Sequence, residues 1–248
     1  MTDIAKADGF RLATVFGKSF DIFSRRFVPI ILVTIIAQIP NYVAQFTVSE
    51  PKPGMTLDAL MWMLGGLLVA FFIGIVAGSL SGGVVMYGVI QELRGRRFSA
   101  VESFSVVLAR LLPVIGVALC SGILIILGLS LLIVPGLILA CMWYVAVPVC
   151  IAERTGVFAS MSRSRVLTKG YRWRLFGILL LFAIAVLIGI FTIGMVFAMV
   201  SPTALKISQL AVGTIIGAFG GVLGGVFYYE LRVAKEGVDI DKIASVFD

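Results

Sequence analysis

Three glutamates close three long apolar runs, and an arginine follows each within two positions: Glu92 with Arg94, Glu153 with Arg154, and Glu230 with Arg232. A carboxylate near a helix C-terminus meets the negative end of the helix dipole, so each of these acids needs a cation. The adjacent arginines are expected to supply one, or else Arg163 and Arg174 from a neighbouring segment. The chemistry of such pairs is structural fastening; the functional alternative is a site for an anionic headgroup or a protein partner beside them. Acid and base catalysis has little to draw on. Histidine, the commonest general base and metal ligand, is absent from the sequence. Glycine-rich phosphate loops, nucleophile elbows and metal-ligand spacings are absent from it too. Cys120, Cys141 and Cys150 fall inside apolar runs, where a thiol is a small packing residue. The expectation is a protein that is not an enzyme and that uses no cofactor and no metal.

The second constellation is cationic. Between Val149 and Phe176 stand Arg154, Arg163, Arg165, Lys169, Arg172 and Arg174, against the single acid Glu153, with more than twenty uncharged residues on either side. A basic stretch so placed is expected at a membrane surface, and these six residues are the candidate contacts for anionic headgroups or a partner. The net charge of +7 would suggest nucleic acid in a soluble protein. Here the cations are spread along one membrane face, so anionic lipids explain them and no nucleic acid is expected.

The elements that carry these residues follow from composition. Hydrophobic residues make up 60% of the chain and charged ones 13%, with a mean hydropathy of +1.11. A soluble domain of this length cannot cover its surface with so few polar side chains. No Asp, Glu, Lys or Arg occurs in residues 28–49, 59–91, 111–152, 175–205 or 207–229. A spanning helix needs roughly 20 apolar residues, so the run 111–152 folds as two spans, expected to break at Pro135-Gly136. The fold class is therefore all-α, a polytopic membrane protein with six spans near 28–47, 58–91, 110–133, 136–153, 174–200 and 203–230. An even number puts both termini on one side. Only Lys52 and Lys206 of the 20 Lys and Arg fall on the other side, a positive-inside asymmetry that places both termini in the cytoplasm. The first apolar run starts at Phe27, behind Asp3, Asp8 and Asp21, which does not read as a cleaved signal peptide.

The chain is expected to form one integral membrane domain, 1–248, of three hairpin units at 1–95, 96–155 and 156–237 with a tail at 238–248. Each unit would open with an amphipathic helix lying in the cytoplasmic interface. Residues 10–27 show the period for one, with Val15, Phe16, Phe20 and Phe23 opposed by Arg11, Lys18, Asp21 and Arg25. Ser99-Ala100-Val101-Glu102 is a capping box for the next. The segment from Ser19 to Pro29 aligns without gaps on that from Ser103 to Pro113, sharing Ser, Phe, Arg and Pro at matched places, and Val157 to Phe176 is a weaker third copy. Gly74, Gly78 and Gly82, and then Gly213, Gly217, Gly221 and Gly225, recur every four residues. Such a stripe lets another backbone approach closely, within the chain or across a homo-oligomer.

Pro148, Glu153, Gly156, Ser164, Leu167, Lys169-Gly170, Trp173 and Phe176, with Tyr228-Tyr229-Glu230-Leu231-Arg232 and Glu236-Gly237-Val238-Asp239, give the chain a resemblance. It resembles the membrane domain of some bacterial glycerophosphodiester phosphodiesterases and related stand-alone inner-membrane proteins. The resemblance implies the bacterial cytoplasmic (inner) membrane. It departs where such proteins often carry Glu-Ala-Leu-Arg-Arg-Ser-Trp, since Ala159-Ser160-Met161-Ser162-Arg163-Ser164-Arg165 stands there. The soluble domain that holds the family's catalytic residues has no counterpart in this sequence, so no phosphodiesterase residue is carried over. The expected function is a non-enzymatic membrane scaffold or accessory protein whose basic cytoplasmic face engages anionic lipids, a membrane-protein partner or a second copy of the chain. A transporter or flippase-like protein for a lipid or other small amphiphile is the alternative.

Overall fold

A computed structural model describes residues 12–47 and 56–237. The turn expected at 49–54, the tail 238–248, and Lys6, Arg11, Lys52 and Lys242 lie outside the described residues. Within them the chain forms helices α1 (Leu12–Arg25), α2 (Phe27–Thr47), α3 (Leu57–Leu93), α4 (Ala100–Leu108) and α5 (Leu111–Leu131). Helices α6 (Ile133–Trp143), α7 (Ala146–Ala152), α8 (Val157–Thr168), α9 (Arg172–Ala198) and α10 (Pro202–Glu236) follow, and no strand occurs among the described residues. Six segments are long and apolar enough to cross a membrane: α2, α3, α5, α6 with α7, α9 and α10. The chain is an all-helical protein of multi-pass membrane character.

Local chemistry sets where these helices begin. Pro29, Pro113, Pro135 and Pro148 each stand third in their helix, in α2, α5, α6 and α7. The first N–H groups of a helix have no intrahelical acceptor, so a proline there forfeits nothing while stopping the preceding helix from running through. This accounts for one correction. The run 111–152 breaks at Leu132, whose backbone is extended, and not at Pro135-Gly136. Proline belongs just inside a helix start, and Gly136 belongs to α6, where its backbone lies against Gly128 of α5. Pro148 works in the same way: the fourth apolar segment is interrupted at Tyr144-Val145 and restarts as α7. Side-chain caps hold three other starts. Thr56 accepts from Ala59 N, Ser99 from Glu102 N, and Ser201 from Ala204 N with Pro202 behind it.

Helix α3 has 37 residues and α10 has 35, about 55 and 52 Å at 1.5 Å per residue. They pack on each other, and α2 packs on α3, α5 on α6 and α9 on α10. The core gathers around the C-terminal halves of this long pair. Val85 and Val89 of α3 join Val222, Val226 and Phe227 of α10 with Val15 and Ile22 of α1 and Ile30 of α2. On the other side of α3, Val84 meets Val107, Val114, Cys150, Ile151 and Met161 from α4, α5, α7 and α8. Phe98 packs against both clusters, seated over Gly88, where an added Cβ would fall 2.1 Å from the ring. The first half of α3 is largely exposed, covered only along the face toward α2, and none of its most apolar window is fully buried. The bundle is thus packed tightly where α3 and α10 end and spread open where they begin.

Candidate functional site

The charged residues of the tight end are joined across the fold. Lys18 Nζ in α1 lies 2.6 Å from Glu230 Oε1, and Arg26, in the link between α1 and α2, donates from Nε to Glu92 Oε1 at 3.0 Å. Arg163 of α8 donates from Nε to Glu153 Oε2 at 3.0 Å and from its terminal nitrogen to Glu236. Arg232 Nε holds the second oxygen of Glu236 at 2.9 Å. The Tyr228 hydroxyl donates to Glu153 Oε1 at 3.1 Å and accepts from Arg232 at 3.3 Å. Burial alone would lower the Arg163 pKa, but the hydrogen bonds to Glu236 and Glu153 outweigh it and raise the value, so the guanidinium stays charged.

These partners differ from the sequence neighbours. Arg94 is not the cation on Glu92: its Nε is buried without a hydrogen-bond partner. Arg232 pairs with Glu236 and not with Glu230, and Arg154 points to solvent with a left-handed backbone, φ 55°. The reason is helical geometry: residues one or two apart project in different directions, whereas i and i+4 share a face. Glu102 adds a contact the capping pattern did not suggest. Its carboxylate accepts from Tyr87 at 3.0 Å and from Gln91 at 3.2 Å, tying α4 to α3. Tyr228 is buried within the fastening.

Helix α8 has two opposed faces. Inward, at a spacing of four, lie Ser160, Ser164 and Thr168, all fully buried. Ser160 donates to the Gly156 carbonyl at 2.7 Å, and both Ser164 (2.8 Å) and Thr168 (3.3 Å) reach the Met142 carbonyl. That carbonyl lies just before the interruption at Tyr144-Val145, so two hydroxyls satisfy an acceptor released where the helix breaks. These three residues have no structural role in the reading from sequence, although their i, i+4, i+8 spacing beside Met161 and Leu167 was readable. Outward, Phe158, Ser162, Arg165, Val166 and Lys169 are exposed, and Trp173 continues the surface at 86% exposure. The six candidate contacts therefore divide. Arg154, Arg165, Lys169 and Arg174 are exposed, Arg174 with its guanidinium 5.9 Å from the Tyr171 ring centre; Arg163 turns inward, and Arg172 is half-buried in a groove beside Cys141.

The glycines divide as well. A Cβ on Gly225 would meet the Met86 carbonyl oxygen at 3.1 Å and Val89 at 3.1 Å, and one on Gly221 would meet Val85 at 3.0 Å, so these two carry the contact with α3. Gly74 faces the Asn41 side chain at 3.3 Å. Gly78, Gly82, Gly213 and Gly217 have nothing within 4 Å of that position. Among the described residues no group of three His, Cys, Asp or Glu side chains could hold a metal ion. The arrangement provides charge neutralisation between acids and cations with an outward-facing basic and aromatic surface beside it. No protein-family model, curated protein or solved structure matches the chain.

Proposed function

We propose that the protein is a non-enzymatic scaffold of the bacterial inner membrane whose cytoplasmic face binds anionic lipid through the outer side of α8. The observation that carries this is the division of α8. Its hydroxyl face is fixed to the Met142 carbonyl, while Phe158, Val166 and Trp173 alternate with Arg165 and Lys169 on the exposed side. Apolar and aromatic groups enter the headgroup boundary while neighbouring cations meet lipid phosphates. In this reading the ten helices of the described residues are three units, α1 to α3, α4 to α7 and α8 to α10. Each unit is a hairpin behind a helix that lies at the cytoplasmic interface. Ser19 and Ser103, matched in the aligned segments, are both buried, as are Phe23 and Val107, which supports a common origin for the first two units.

A fluorophore on Ser162→Cys reports lipids next to this face. In bilayers of phosphatidylcholine with phosphatidylglycerol, brominated phosphatidylglycerol is expected to quench it more strongly than the brominated choline lipid does. High salt, or Arg165→Glu with Lys169→Glu, removes the preference. Equal quenching by both lipids at low salt would sink the proposal. Transport of an amphiphile is the second reading, favoured by a lateral groove of about 950 Å³ between α2 and α3 that includes Pro40, Val43, Trp62 and Ile73. Accelerated translocation of a labelled lipid by reconstituted protein would establish it.

A further inference from the structure

A separate groove, of about 450 Å³, runs between α6 and the start of α9. Val134, Leu137, Ile138 and Phe176 make it apolar, and Arg172 is the one charged residue among the described residues lining it. Arg172 Nε is buried without a hydrogen-bond partner, although the residue as a whole is half-exposed. Arg172 nevertheless brings a guanidinium charge to the groove wall, where an anion is attracted to it. The backbone around it favours an anion too. Helix α9 opens on Tyr171 without a side-chain cap, so its first N–H groups also lack intrahelical acceptors and carry the positive end of the dipole. No acidic side chain is among the described residues lining the groove. Trp173 stands at the same edge, at 86% exposure, where an indole sits against headgroups.

From one cationic side chain in a groove that is otherwise largely apolar, we infer that the groove holds one anionic phospholipid from the surrounding leaflet. Its phosphate is received by Arg172 and the start of α9, and one acyl chain lies against Leu137, Ile138 and Phe176. This rests on the proposed anionic-lipid reading but names a different place and a different mode. The outer face of α8 meets exchanging lipid through exposed cations, whereas the groove retains a single molecule through one cation set in a shaped apolar wall.

Native mass spectrometry of the full chain, released from bilayers of phosphatidylglycerol and phosphatidylcholine, tests it. The expected result is one retained phosphatidylglycerol per protein, with phosphatidylcholine retained far less. Arg172→Gln removes the charged donor and lowers occupancy about tenfold, the scale of one charge-assisted hydrogen bond. Ile138→Trp fills the trough with Arg172 intact and lowers it similarly, so a folding defect in either variant leaves the other to decide. Arg165→Gln with Lys169→Gln leaves the retained lipid in place, which separates this site from the α8 face. Inorganic phosphate in excess does not displace the lipid, because it lacks the acyl chain. Equal retention of the two lipids, or full occupancy in whichever of the Arg172 and Ile138 variants folds, would overturn the inference. Displacement by phosphate alone would reduce the site to an anion site and overturn it equally.

Discussion

At the scale of single residues, the ends of three returning helices share one requirement that the side chains meet unequally. Just beyond α3, α7 and α10 the chain enters the left-handed region, at Gly95 (φ 76°), Arg154 (φ 55°) and Gly237 (φ 63°). Glycine is free there, while an L-residue with a Cβ is opposed by about 1–2 kcal/mol. Arg154 is exposed and makes no ion pair or hydrogen bond among the described contacts of its side chain. Its replacement is therefore expected to help. Arg154→Gly should stabilise the protein by about 0.5–1 kcal/mol after allowing for the greater freedom of glycine in the unfolded chain. Gly95→Ala and Gly237→Ala should each cost about 1 kcal/mol. Unfolding in a mild detergent against denaturant measures all three, and a less stable Arg154→Gly protein would show that the guanidinium makes a contribution the backbone cost conceals.

At the scale of elements, composition and period revealed more about the helices than about what each one touches. Charge-free runs located the six long segments, and the caps at Thr56, Ser99 and Ser201 were readable because a cap is settled within four residues. Contact partners were not readable in the same way. Lys18 and Glu230 are 212 positions apart, and nothing in local spacing selects that pair over Arg232. The glycines show the same limit. A four-residue period marks a smooth stripe, but only tertiary structure decides which part of it is pressed against a neighbour. Gly225→Ala should lose about 1–3 kcal/mol, because its Cβ would strike the α3 backbone at Met86, which cannot rotate away. Gly213→Ala and Gly217→Ala, with open space around them, should be neutral or gain up to about 1 kcal/mol from helix propensity. Thermal unfolding of the three variants in detergent distinguishes them. If Gly213→Ala instead disrupted an oligomer seen by light scattering, the open stripe would be an interface between copies.

At the scale of the whole molecule, the strongest sequence signal is the distribution of cations, and the described helices give it a spatial form. Arg26, Arg163 and Arg232 lie together with Glu92, Glu153 and Glu236 where α3, α7 and α10 end. Lys206 lies at the other extremity, its ammonium 5.0 Å from the ring centre of Phe46 near the end of α2. If the six apolar segments each cross the bilayer, these two groups are on opposite sides of it, and the orientation we propose from the positive-inside asymmetry puts the arginine side in the cytoplasm. Cysteine reporters resolve the crossing number and the orientation separately. Cys141 and Cys150 are buried, so replacing half-buried Cys120 with Ser leaves a background of low reactivity. On that background, Arg165→Cys should react with a membrane-impermeant maleimide only after the cytoplasmic face is opened. Lys206→Cys should react from outside in intact spheroplasts. Labelling of both from one side would break the six-crossing topology, because α9 would then fail to carry the chain across between them. Labelling from opposite sides in the reverse sense would keep the topology and invert the orientation, placing the α8 surface and the Arg172 groove in the outer leaflet.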